Sequence, residues 1–339
     1  VNAAEMDENR HADLLLEQLL GRIEEYYDAV PRTGALAEDF GTLTLFVRDG
    51  RGWPYYARPA LGRTGDAVTT AEVERVRGRQ RELGVPENFE WVAENSPHLR
   101  AAVEESGLVV HEHPLLALDL SRGRAAEGAV AGGTGGEETG AGAVPGAAAG
   151  AGAAGGAGEA VCVRVIEDGD PALPYAVAVP YLAFAQPDTQ VGAAGARELA
   201  EAARQLVGDG SVDVVAERIR DGYTAVAVAE EDGVALSAGQ HQPVGAVSEV
   251  VGVGTLPSAR RRGLGLAVTA ALVADARERG VRTVFLSANN DEVARIYERI
   301  GFRRVATALI AEPAETAGAE ESGEAVEAVE AVEAVEAVE

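Results

Sequence analysis

The 339-residue chain carries 55 acidic and 29 basic residues, every basic one an Arg, for a formal net charge of −26. A chain of this length accommodates two ordinary domains, and so acidic a body argues against a nucleic-acid surface while suiting a cationic amine as substrate. Its one cysteine, Cys162, excludes an intrachain disulfide and fits a reducing compartment. The opening Val1-Asn-Ala-Ala-Glu-Met-Asp-Glu is acidic where a signal peptide would be basic. The longest bulky apolar run, Ala172 to Ala185, is too short for a bilayer and holds Pro174 and Pro180. The expectation is a soluble, cytoplasmic, bacterial protein with no nucleic-acid or membrane partner.

Taken in chain order, a helix is predicted from Asp13 to about Val30, stopped by Pro31, then strands at Thr42 to Arg48 and Trp53 to Arg58 around an Asp49-Gly50 turn. A helix follows at about Thr70 to Leu83, then Phe89-Glu-Trp-Val-Ala-Glu, a helix from about Ser96 to Ser106 closed by Gly107, and a strand at Leu108 to Leu116. Between Arg124 and Ala160 the sequence collapses into Ala and Gly with scattered Glu, which reads as a flexible linker. Beyond it come a strand at Val161 to Ile166 and helices near Ala172 to Ala185, Ala193 to Leu206 and Val212 to Ile219. Strands follow at Tyr223 to Ala229, Val234 to Gln240 and Val247 to Leu256, the first two joined by an Asp232-Gly233 turn. From Glu324 the chain repeats Glu-Ala-Val, a period that leaves no lasting apolar face on a helix, so the end reads as an acidic disordered tail or a fraying helix. Pro59, Gly84 and Gly107 pair with Pro257, Gly280 and Gly301 at offsets of 198, 196 and 194, so the halves read as two copies of one architecture.

The most informative stretch runs from Glu249 to Phe302. An apolar strand ends at Pro257 and feeds Arg260-Arg-Arg-Gly263-Leu-Gly265, which opens an amphipathic stretch ending at Arg279-Gly280. Glycines in such a turn let backbone N–H groups face an anion, and the helix N-terminus adds its positive dipole end; together they cradle a phosphate. Val284-Phe-Leu-Ser-Ala-Asn-Asn290 and Asp291-Glu-Val-Ala-Arg-Ile-Tyr297-Glu-Arg-Ile-Gly301-Phe302 then give a strand and a helix that stops at Gly. This series resembles the fingerprint of the GNAT acetyltransferase superfamily: an Arg/Gln-x-x-Gly-x-Gly/Ala turn followed by a strand, Asn, Tyr seven residues later, and Gly-Phe. The resemblance covers about residues 161–313.

The resemblance implies an α/β fold, a mixed and mostly antiparallel twisted sheet flanked by helices, present here as two copies in tandem, with acetyl-CoA as co-substrate and no metal. It implies that the pantetheine arm pairs with the strand at Val253, where Gly252 and Gly254 would let another backbone approach, with Thr255 alongside. Arg260, Arg261, Arg262, Gly263, Leu264, Gly265 and Leu266 would hold the pyrophosphate, mostly through main-chain N–H groups, and Asn290 would touch the pantetheine or adenosine end. Tyr297 would protonate the leaving thiolate, since a phenol of pKa about 10 can serve a thiol of about 8.5. Glu249 would be the base for a primary amine that attacks directly. In such enzymes the early helices, here about Ala172 to Ile219, build the acceptor pocket. The first copy lacks this chemistry: Leu61-Gly-Arg-Thr-Gly-Asp66 stands in place of the Arg/Gly turn, and Val103 in place of Tyr297.

The expected layout is a degenerate GNAT-like domain at 1–121, a linker at 122–160, a catalytic domain at 161–313 and an acidic tail at 314–339. It would act on a small-molecule or peptide amine, as a monomer with an internal pseudo-dimer or as a homodimer. A non-catalytic acyl-CoA-binding regulatory or scaffold module is the alternative. His111-Glu-His113 sets two imidazoles on one side of a strand without an evident third metal ligand, and Cys162 has no obvious activating neighbour.

Overall fold

The computed structural model of the protein describes residues 3–48, 55–121, 160–186 and 190–314. The Asp49-Gly50 turn, and nearly all of the linker expected at 122–160 and the tail expected at 314–339, lie outside the described residues. The first half contributes α1 (Ala3–Ala29), β1 (Ala35–Asp39), β2 (Leu43–Arg48), β3 (Ala57–Pro59), α2 (Thr70–Leu83), β4 (Phe89–Val92), α3 (Leu99–Glu105) and β5 (Leu108–Asp119). The second contributes β6 (Cys162–Ile166), α4 (Leu173–Phe184), α5 (Ala196–Gly208), α6 (Ser211–Arg220), β7 (Ala225–Glu231), β8 (Val234–Val244), β9 (Val247–Thr255), α7 (Leu264–Glu278), β10 (Thr283–Ser287), α8 (Asp291–Glu298) and β11 (Arg303–Pro313).

Local chemistry fixes several boundaries. Thr69 and Glu72 form a reciprocal capping box at the start of α2, and Gly84, at φ +67°, closes it. Asp232 and Gly233 both take positive φ, 52° and 75°, the two-residue turn that matches strand twist between β7 and β8.

The eleven strands form one mixed sheet in the order β1-β2-β3-β4-β11-β5-β10-β9-β8-β7-β6. Neighbours are antiparallel except β3 with β4 and β9 with β10, one parallel pair in each half. The last strand of each half lies inside the other half's sheet: β11 stands between β4 and β5, and β5 between β11 and β10. The registers carry the repeat. Shifting β4 forward by 196 and β11 back by 194 takes Val92 opposite Ala308 onto Ala288 opposite Pro114. The Ala288 N–H does donate to the Pro114 carbonyl, at 2.9 Å, one step beyond Ser287 opposite Leu115.

Burial follows the exchange. The first-half core of Leu43, Val73, Phe89 and Trp91 includes Leu309 and Ala311 of β11. A further cluster sets Leu20, Ile23 and Tyr26 of α1 on Val247 of β9 and Phe285 of β10. Fully buried Phe285 receives the rings of Tyr26 and Tyr27 edge-on at 5.0 and 5.4 Å. Each large apolar side chain buried in this way contributes about 1.5–3 kcal/mol, so the junction between the halves is itself a core.

Candidate functional site

Strands β9 and β10 pair only from Val247 to Glu249 against Thr283 to Phe285, and the sheet forks beyond that point. A bulge bends β9 at the fork. Ala238 faces Gly254 and Gln240 faces Val251, so Gly239 alone opposes Gly252 and Val253, and Gly252 takes the φ of +61° that such a kink favours in glycine. Val253 and Thr255 then line a cleft of about 390 Å³, completed by the start of α7 and one face of α8.

The start of α7 is open. Arg261 and Gly263 hold left-handed backbone, φ +62° and +75°, and Gly263 offers no side chain to cap the helix. The first N–H groups of α7 and its positive dipole end are thereby turned to the cleft at Gly263, Leu264, Gly265 and Leu266. Arg261, Arg295 and Arg299 add positive charge to the lining, with Glu292 as its carboxylate. Tyr297, 6% exposed, lines the same cleft from α8, its ring edge-on to Phe302 at 6.2 Å. Sequence reasoning passed over Arg295 and Arg299. Their four-residue spacing around Tyr297 was the available signal, because it sets them on one helix face.

Four residues expected at the cofactor have their side-chain positions committed elsewhere. A Cβ on Gly254 would come within 2.9 Å of the Ala183 Cβ and 3.0 Å of the Pro180 Cα, so the space beside that glycine is filled by α4. Arg260, 3% exposed, donates to the carbonyls of Ala183, Gln186 and Gln190 at 2.7, 2.7 and 3.2 Å and fastens the end of α4. Arg262 pairs with Glu231 at 2.6 Å, and its hydrogen bonds hold that carboxyl below the usual carboxylate range. Asn290 caps α8, its Oδ1 accepting from the N–H groups of Glu292 and Val293 at 2.9 and 3.0 Å.

Glu249, 5% exposed, lines a second cavity of about 50 Å³ between the halves. Val251 of β9 and Ser287 of β10 form part of its wall, and Tyr27, Tyr56 and Arg58 supply the first half's share. The Tyr27 hydroxyl donates to Glu249 Oε1 at 2.9 Å. Arg58 pairs with Glu24 of α1 and lies over the Tyr27 ring, 4.9 Å from its centroid. Burial works against the Arg58 charge, but Glu24, Tyr56 and Tyr27 outweigh it and the guanidinium pKa stands above its ordinary value. Helices α4 and α6, where the acceptor pocket was expected, line a third cavity of about 80 Å³ against Gly239 and Gly252, with no charged side chain among its lining residues.

The corresponding place in the first half is closed. The α2 N-terminus is occupied by its own Thr69 and Glu72, Asp66 pairs with Arg63 at 2.7 Å, and Val103 is fully buried in the first-half core. His111 faces Glu312 at 3.4 Å while His113 is buried, and among the described residues no group of three or more His, Cys, Asp or Glu could hold a metal ion. Among them, too, no helix is long and apolar enough to cross a membrane.

A GCN5-related N-acetyltransferase from Kribbella flavida superposes with a TM-score of 0.56 at 23% identity, covering 89% of this chain and 98% of that one, so the shared fold spans both halves. Residues 225–310, which hold the fork, the bulge, the α7 turn and Tyr297, match the family model described as FR47-like protein. The fold is thus that of a GCN5-related N-acetyltransferase, and the stretch holding the cleft matches an FR47-like model. The chain is also 38% identical over 99 residues to a mycothiol acetyltransferase from Cellulomonas flavigena, an overlap of 25% of this chain and 28% of that protein. The match thus spans little more than a quarter of that relative's length.

Proposed function

We propose that this protein is a GNAT acetyltransferase that transfers an acetyl group from acetyl-CoA to the nitrogen of a primary amine. The observation that carries the reading is that the uncapped start of α7 and the Tyr297 side chain share one cleft, at the bulge of β9. Acetyl-CoA supplies an activated acyl thioester. The α7 N–H groups with Arg261, Arg295 and Arg299 suit its phosphates, and Val253 at the kink suits its pantetheine arm. Tyr297 is proposed to give its proton to the departing thiolate, and Glu249, held by Tyr27, to take the proton of the attacking ammonium, directly or through water. The two groups line different cavities at one fork, which allows cofactor and amine to approach from separate openings. The capped α2 favours a single cofactor site in the second half.

Tyr297→Phe tests the reading in the full chain. Turnover with a reactive primary amine is expected to fall by about 10²–10⁴-fold while the affinity for acetyl-CoA, measured by calorimetry, stays within a few-fold. Unchanged turnover removes Tyr297 from the reaction. Acetyl-CoA binding without turnover by the unmodified chain, over a broad panel of amines, points instead to a non-catalytic binding module.

A further inference from the structure

Arg58 is 1% exposed and lines the cavity between the halves, yet its Nη2 alone is engaged, by Glu24. Its Nε and Nη1 have no hydrogen-bond partner among the described residues, and neither does the buried Nε1 of Trp91, which lines the same cavity. Buried guanidinium and indole donors are rarely left unmade, because each forfeits its hydration without replacement. These donors call for oxygen acceptors.

The charges narrow the choice. Glu24 already balances Arg58, and Glu249 and Glu90 also line the cavity, so an added carboxylate would meet more negative charge than positive. An ammonium is suited to Glu249, and the unpaired donors then favour a neutral oxygen. The volume of about 50 Å³ admits a few water-sized groups, the end of a small molecule.

We infer that the cavity between the halves is the acceptor subsite of the proposed transferase, and that Arg58 makes it select amines bearing a neutral oxygen acceptor, a hydroxyl or an amide carbonyl, a few bonds from the nitrogen. The first half then contributes specificity to the second half's chemistry. The inference rests on the proposed reaction only for the word acceptor; binding can be read without turnover.

The test titrates the full chain, saturated with CoA, with glycinamide, ethylamine and glycine in a calorimeter. Glycinamide is expected to bind on the order of tenfold more tightly than either of the others, the usual effect of hydrogen bonds to a charged donor. The double variant Arg58→Met with Glu24→Gln removes both charges and avoids stranding a buried carboxylate; in it the ratio falls to about one. Equal affinities in the unmodified chain, as water filling the cavity would give, overturn the inference, and so does a preference that survives in the variant. Should the variant fail to fold, NMR of the unmodified chain decides: the Arg58 Nε–H resonance moves with glycinamide and not with ethylamine, and an unmoved resonance overturns the inference. A binding preference without acetyl transfer to glycinamide would overturn the proposed reaction and leave the subsite standing.

Discussion

Two histidines two residues apart on β5 meet opposite environments. His111 is exposed, whereas His113 is 8% exposed and its Nδ1 is unpaired among the described residues. Burial pushes the His113 imidazole below its ordinary pKa, and hydrogen bonds to the backbone at Asn289 and Ala288 offset only part of this. The folded chain therefore keeps His113 neutral at a pH where the unfolded chain begins to take up a proton. Stability is full above about pH 6.5 and declines as pH falls from there toward the folded-state pKa, by up to about 1.4 kcal/mol per pH unit. Denaturant midpoints of the unmodified chain and of His113→Leu across this range check the sign: the histidine chain loses stability and the variant's profile is flatter. Parallel profiles would remove His113 as the cause. A third histidine shows why constellation alone misleads. His241 bonds Ser248 Oγ at 2.8 Å and Asp275 Oδ2 at 2.7 Å, the residue types of a hydrolytic triad, but His241 and Ser248 are fully buried and line none of the three cavities at the fork. The set ties β8 and β9 to α7.

Within the strand–turn–helix unit from β9 to α7, the glycines divide by what surrounds them. Gly254→Ala drives a methyl into the backbone of α4 and is expected to cost about 1–3 kcal/mol. Gly263→Ala keeps open space but forces a left-handed residue, at about 1 kcal/mol. Gly265→Ala meets only ordinary contacts, 3.5 Å to Thr255 Oγ1 and 3.7 Å to Val253 Cγ1, inside a helix. That change is expected to be neutral or to stabilise by up to about 1 kcal/mol. Thermal melts of the three variants check the order, and a Gly265→Ala penalty as large as that of Gly254→Ala would contradict it. This unit also shows what the sequence could tell. The turn, the helix start and Tyr297 were legible because their signals are local: glycine spacing, apolar period, and a helix stopped at Gly301. Asn290 and Arg260 were legible as positions but not as contacts, since the amide could serve either a ligand or the helix N-terminus behind it, and only the packed α4 showed where the guanidinium goes. The strand at β11 received no reading at all. Its partners are β4 and β5, about 200 residues away in the chain, and nothing local announces pairing at that distance. The cavity at Glu249 was not legible for the same reason, because half of its lining residues, from Tyr27 to Trp91, come from the other copy.

At the scale of the molecule, the exchange of β5 and β11 makes each half an incomplete sheet without the other. Removing β11 would withdraw Leu309 and Ala311 from the first-half core and leave β4 and β5 with unpaired inner edges. Removing β5 would do the same to β10 and β11. Two copies joined merely by a linker would unfold independently, whereas copies that share inner strands are expected to unfold as one cooperative unit. The tryptophans allow a sharp test, since both, Trp53 and Trp91, belong to the first half. Their fluorescence reports that half, while far-ultraviolet circular dichroism reports the whole sheet and all the helices. The two signals are expected to share one denaturant midpoint, and Gly254→Ala, a change confined to the second half, is expected to lower the tryptophan midpoint by as much as the dichroism midpoint. A tryptophan transition untouched by Gly254→Ala would mean that the first half keeps its core without the second, and the exchanged strands would then be a docking contact rather than the shared framework that holds Tyr27 on Glu249.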